Sequence, residues 1–324
     1  MEEVDEMPRR IPTGEWLQSK FRRLVEMTKI VSRECQGQYS EPEYGFWSLK
    51  KEIALMYWIW PFLQIANQHF DSYYYVDLFA GSGLMKANSD YFVGSPIVAI
   101  GSTLPEKKFK EYFCLEIDKP RWEALEKRAS TAAKHFETCC PKIFNVDCNE
   151  ELTRILDDFC PKGRTCYLAF IDPEGISDLK WNTLHKLLVH GKGDIILNFP
   201  TSGVIRNFGQ TKSERALTDF FGDNVWKEMN PTADNLVEYY KNRIAVADGF
   251  RRTVDSLPVT DESNHRLYDL IFATGSRGMS NVMSDMKAKL NKIKTKDFRE
   301  IYRVIAGSQR QLTGFQEESA SGKP

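Results

Sequence analysis

From Tyr73 onward the chain repeats one pattern, a short apolar run followed by a longer amphipathic stretch. That alternation restricts the fold to an α/β class with a largely parallel sheet. The apolar runs are 73–79, 111–117, 142–146, 166–172 and 194–199. The stretches between them predict helices over 95–102, 119–136, 149–159 and 178–190. Two further runs, 250–259 and 266–275, are separated only by Thr260 to His265. So short a gap leaves no room for a helical crossover, and these two are expected to pair antiparallel. The expected architecture is therefore a Rossmann-like, seven-stranded, mostly parallel sheet with a C-terminal antiparallel hairpin.

Outside that pattern, 15–35 and 48–70 read as helices, the second apolar enough to be mostly buried. The expected division is a helical extension over 1–70 and an α/β domain over 71–278. Helical stretches at 213–229 and 234–247 read as an insertion, 200–249, over the ligand edge of the sheet. A basic helix over 279–305 and a disordered tail over 306–324 follow. Apolar residues at 42% and aromatics at 12% suffice for a sizeable core. With 44 Lys+Arg against 45 Asp+Glu, the chain lacks a polybasic signature. The longest apolar run, 53–63, is broken by Pro61 and is far short of the ~20 residues that span a bilayer. The first residues, MEEVDEMPRRIP, are polar and do not resemble a secretory signal. Seven cysteines include no C-x-x-C pair, and Cys114 and Cys166 sit in strand-like runs where a small buried hydrophobe is expected. No histidine pair has i, i+4 spacing, so no metal is expected. These features describe a reduced, soluble, cytoplasmic protein with no membrane partner.

Open parallel sheets bind ligands beyond the carboxyl ends of their strands, so the residues after each run are the candidates. The first run carries Asp77 and ends in Ala80-Gly81-Ser82-Gly83, the second ends at Glu116 and Asp118, and the third at Asp147. The fourth ends at Asp172-Pro173-Glu174-Gly175 and the fifth at Asn198-Phe199-Pro200. Glycine at 81 and 83 lets backbone approach a ligand closely, or simply makes a strand-to-helix turn. A dinucleotide fingerprint needs glycine where Lys86 stands, and no phosphate-binding P-loop is present. A nicotinamide-dependent oxidoreductase is disfavoured accordingly. Glu116 is placed to accept from both hydroxyls of a ribose, unless it is only a strand-end acid. Asp147 is placed to accept from an adenine amine, or to cap the helix that follows it. Carboxylates near a sulfonium cation carry no electrostatic cost, whereas beside a pyrophosphate they would repel.

Together, Asp77-Leu78-Phe79-Ala80-Gly81-Ser82-Gly83, Gly94-Ser95-Pro96 and Cys114-Leu115-Glu116-Ile117-Asp118 resemble a known family. Phe170-Ile171-Asp172-Pro173-Glu174-Gly175 with Trp181, and Leu197-Asn198-Phe199-Pro200 with Arg206, complete the set. The set resembles the three-Cys-motif partner proteins, themselves similar to class I S-adenosylmethionine-dependent methyltransferases, over about 47–278. The resemblance implies S-adenosylmethionine as cofactor. Asp77, Gly81 and Gly83 then form the methionine-side loop, Glu116 the ribose contact and Asp147 the adenine contact. It puts Asp172 where nucleic-acid amino-methyltransferases carry the first residue of D/N-P-P-Y/F. This chain has Glu174-Gly175 in place of the second proline and the aromatic, with Phe199 the nearest substitute for base stacking. No cysteine follows Asp172 to serve as the nucleophile of cytosine C5 chemistry.

Two functional readings follow. The first is a methyltransferase in which Asp172 and Asn198 hold the acceptor, with nucleic acid as its substrate. The cluster Arg243, Arg251, Arg252, Lys287, Lys289, Lys292, Lys294 and Lys296 would contact the polyanion, unless it is a solvated face. The second is a non-catalytic module that works with a three-Cys-motif protein, favoured by the altered tetrapeptide at 172–175. Asn198 either orients the substrate or only hydrogen-bonds the turn around Pro200.

Overall fold

The apolar runs are nearly continuous because helices cover both faces of the sheet they form. The computed structural model describes residues 13–35, 41, 43–87, 90–103, 106–160, 163–247, 249 and 252–320. Its strands, in chain order, are β1 (Ser72–Asp77), β2 (Leu84–Ala87), β3 (Asp90–Val93), β4 (Glu111–Leu115), β5 (Lys142–Phe144), β6 (Thr165–Ile171), β7 (Lys192–Phe199), β8 (Thr253–Thr260) and β9 (Arg266–Thr274). Seven of them make one sheet in the order β5-β4-β1-β6-β7-β9-β8. The first five of these pair in parallel. β9 runs antiparallel to β7 and to β8, as the short connection between the last two runs requires. β2 and β3 form a separate antiparallel hairpin that the sequence pattern does not announce. Four residues a side are too few to show a period.

Strand residues alternate between two cores. Tyr75, Leu168, Phe170, Ile196 and Phe272 face one, and Tyr74, Val76, Tyr167, Ile171 and Ile271 face the other. The helices are α1 (Thr13–Val31), α2 (Ser48–His69), α3 (Ser95–Gly101), α4 (Lys119–His135), α5 (Cys148–Phe159), α6 (Trp181–His190), α7 (Thr201–Asn207), α8 (Glu214–Phe221), α9 (Ala233–Val246), α10 (Arg277–Leu290) and α11 (Thr295–Ala320). The first core lies under α2, α3, α4 and α10, with α1 and α11 outside them, and the second under α5–α9. Cys114 and Cys166 are buried within their strands. Among the described residues no helix is long and apolar enough to cross a membrane.

Three expectations change. The segment 1–70 does not end in an appendage, because α2 is part of the first core. Trp58 is fully buried, stacks on Phe272 at 5.3 Å and donates Nε1–H to Asp194 Oδ2 at 3.0 Å. Residues 200–249 lie over the ligand edge only in part. β8 is parallel to β7 two strands away, so the chain must cross a face to reach it, and α9 is that crossover helix. Its Leu236, Val237, Tyr240 and Ile244 are buried against the sheet side. Finally, α11 runs past Ala306 into the stretch read as a disordered tail, because Tyr302, Ile305 and Ala306 join the first core. The tail's last residues, 321–324, lie outside the described residues, as do 1–12 of the N-terminal segment.

If α2 belongs to the core, Trp58→Ala should destabilise the protein by about 3–5 kcal/mol in urea unfolding. A cost below about 1 kcal/mol would restore the view of α2 as an extension.

Candidate functional site

Strand order reverses beside β1: the chain goes from β1 outward to β4 and β5, then returns to the other side of β1 for β6 and β7. The loops on either side of such a reversal diverge and leave a crevice at the strands' carboxyl ends. A cleft of about 660 Å³ occupies that place. Gly81, Gly83, Glu116, Asp147, Asp172 and Asn198 all line it. Residues chosen from five separate strand ends are thus neighbours in space.

The loop after β1 turns through positive φ at Gly81 (62°) and Gly83 (76°), a region costly to residues with a Cβ. The two glycines differ in what surrounds them. A Cβ on Gly83 would press on Leu125 and Ile97, so close packing demands that glycine. A Cβ on Gly81 would meet no protein atom, so its side of the loop stays open. Asp77 does not line the cleft. It is fully buried below the loop, accepting from Tyr75 Oη–H at 2.9 Å and from the Phe79 N–H at 3.3 Å. Its role is to shape the loop from beneath. Burial pushes its carboxyl up to about 7, against the opposing hydrogen bonds from Ser95, Tyr75 and Phe79.

Glu116 ties two loops together. Oε2 accepts the Gly81 N–H and Oε1 the Asp118 N–H, each at 2.8 Å. Each oxygen keeps a lone pair for a further donor. Burial raises its carboxyl, opposed by those two backbone donors. Beside it, Ile117 is 66% exposed and, with Val146, gives the cleft an apolar flank. Asp147 caps α5 as the helix alternative expected: its Oδ1 accepts from the Asn149 N–H at 2.8 Å and from Asn149 Nδ2 at 2.9 Å. It lines the cleft nonetheless.

At the end of β6, Asp172 forms an ion pair with Lys51 from the first turns of α2. Asn198 Nδ2 donates to Asp172 Oδ1 at 2.6 Å. That bond turns the amide so that Asn198 Oδ1 is left buried with no hydrogen-bond partner among the described residues. Glu52 Oε2 is in the same condition. Burial works against charge on Lys51, yet the Asp172 carboxylate holds its ammonium above its ordinary value. Burial pushes Glu52 well above the carboxylate range, against the pull of Lys51 and with the push of Asp172 and Asp77. Glu174 accepts from Tyr44 Oη–H at 3.0 Å and pairs with Arg121.

Lys51, Glu52 and Tyr44 were missed in the sequence because they precede the first strand. The signal was present: Lys50-Lys51-Glu52 is a charged triplet opening a helix otherwise apolar enough to be buried, and such charges need a reason. Phe199 is not a stacking residue. It is fully buried against Phe220, Phe221 and Tyr240, because it closes β7 on the inner face. The basic C-terminal helix is also partly neutralised within the protein, Lys287 pairing with Asp255 and Lys289 with Asp285. Arg252 is buried and bonds backbone carbonyls, and Arg251 lies outside the described residues.

No family model matches the chain, and no curated protein matches it in sequence. Among solved structures, a protein from Legionella pneumophila aligns over 75% of this chain and 91% of its own, at 12% identity and a TM-score of 0.47. The O-methyltransferase from Bacillus cereus, in complex with SAH, covers 82% of this chain and 93% of its own at 8% identity and a TM-score of 0.39. The plantazolicin methyltransferase, also in complex with SAH, covers 87% and 94% at 8% identity and a TM-score of 0.35. The last two neighbours are methyltransferases.

Because Asp77 keeps its proton more firmly when folded, the native state binds more protons than the unfolded chain between about pH 4 and 7. Stability must then fall as pH rises through that window. Asp77→Asn should flatten this decline by up to about 1.4 kcal/mol per pH unit in chemical denaturation, leaving the shares of Asp194, whose burial raises it to about 6, and of Glu52 and Glu116, which burial also raises. An unchanged slope would mean that Asp77 ionises normally.

Proposed function

We propose that this cleft binds S-adenosylmethionine and that the protein transfers its methyl group to an amino nitrogen. The observation that carries the reading is the convergence of Gly81, Glu116, Asp147, Asp172 and Asn198 on one cleft whose lining is richer in carboxylates than in cations. Such a lining suits a cationic adenosyl compound and opposes a dinucleotide. The spare lone pairs of Glu116 fit two ribose hydroxyls, and Ile117 with Val146 offers a flat apolar flank to an adenine beside Asp147. The open side of Gly81 fits a close-lying methionine chain.

Bound there, S-adenosylmethionine supplies a methyl group on a positively charged sulfur, open to in-line displacement. The chain's own part is alignment and proton handling. Asn198 Oδ1 and the Asp172 carboxylate are acceptors side by side, and both call for N–H donors. An amino group seated on them would have its lone pair held in one direction. Lys51 stays protonated beside Asp172, so it orients that carboxylate and is not available as a base. The proton released by the methylated nitrogen leaves by way of Asp172, whose side chain is 19% exposed.

A second reading, a binding module working with a three-Cys-motif protein, draws on one feature. The Asp172 tetrapeptide has Gly175 where amino-methyltransferases carry the aromatic residue, and Glu174, at the second proline's place, is held by Tyr44 and Arg121.

Purified protein incubated with methyl-labelled cofactor and pooled RNA, DNA and protein should label one pool on nitrogen. Asp172→Asn should slow that transfer about 100-fold or more while cofactor affinity changes less than about threefold. Tight cofactor binding with no pool labelled would favour the partner reading instead.

A further inference from the structure

Trp47, Asn198 and Tyr268 line a second cleft of about 550 Å³ as well as the first. The two cavities therefore meet at the side chain whose buried Oδ1 lacks a donor. Their charge differs. The second cleft's charged lining residues are Glu174, Arg206 and Lys212. Glu174 is already neutralised by Arg121. Arg206 and Lys212 are exposed, and neither enters an ion pair among the described residues. Lys287 and Lys289 of the C-terminal helix have carboxylate partners, whereas Arg206 and Lys212, unpaired among the described residues, line a cleft opening onto Asn198.

We propose that the second cleft admits the acceptor and that the acceptor is a base of a single-stranded nucleic acid. Arg206 and Lys212 take flanking phosphates, and the partly buried indole of Trp47, which lines both clefts, gives the base a flat neighbour. The exocyclic amine then meets Asn198 Oδ1, a side-chain acceptor shared by both clefts that has no donor among the described residues. A base paired in a duplex cannot reach a side chain this deeply buried, which selects an unpaired strand. An acidic peptide would satisfy the two cations but brings no planar amine to Trp47 and Asn198. The reacting nitrogen rests on the methyl-transfer reading, whereas the phosphate contacts do not.

The test uses the full chain with a labelled single-stranded oligonucleotide followed by fluorescence polarisation, alongside a separate titration of S-adenosylmethionine. Two phosphate contacts imply a slope of log affinity against log salt of about −1.4. Arg206→Ala/Lys212→Ala should weaken oligonucleotide binding about tenfold or more at low salt and bring the slope towards zero, with cofactor affinity unchanged. Oligonucleotide binding that is absent, or indifferent to the double substitution, would overturn the proposal even if the cofactor binds. So would polyglutamate that displaces the oligonucleotide equally well at matched charge. Oligonucleotide binding with the expected slope but no cofactor uptake would uphold the phosphate-binding cleft and remove the methyl-transfer reading alone.

Discussion

Glu116 accepts backbone N–H groups from two loops that begin on different strands, Gly81 after β1 and Asp118 after β4. A carboxylate can hold two loops in this way because it has two oxygens and no donors of its own. Without it, the positive-φ turn at Gly81 and the start of α4 would have no common anchor. The cost is visible in the raised carboxyl, since burial at a strand end disfavours its charge. The cleft's shape and its charge thus depend on the same residue. That coupling is the reason one side chain can both build the cleft and face into it.

A second tie works across the molecule. The Lys51–Asp172 ion pair joins α2 to the end of β6, and the Asn198 amide completes the group from β7. Buried charges of this kind are poor stabilisers, because desolvation offsets most of their attraction. Their value lies in geometry: they fix which way Asp172 and Asn198 present their oxygens. Removing Lys51 would leave Asp172 to find water or a proton. The helix before the first strand is therefore part of the site.

The sheet was legible because each strand and helix carries its own period, and the six residues between the last two runs dictated their antiparallel pairing. The glycines and strand-end acids were legible because parallel sheets place ligands at a known edge. What escaped was long-range or too short to show a period. Lys51 meets Asp172 across a sequence separation of 121, and the hairpin of β2 and β3 has four residues a side. Phe199 misled because an aromatic beside Asn198 looks available, while strand alternation turns it into the core. The stretch 200–249 looked superfluous only because β8 had not yet been seen to run parallel to β7. Arg206 stood in the sequence only as the end of a motif, and Lys212 escaped altogether, because two isolated charges make no cluster in a chain of near-zero net charge.

Calorimetric titration of the folded protein with S-adenosylmethionine tests the central claim most directly. Saturable one-to-one uptake, weakened at least tenfold by Glu116→Ala, is the result expected of a cleft built on that carboxylate. Folded material that takes up neither the cofactor nor its demethylated product would contradict the account.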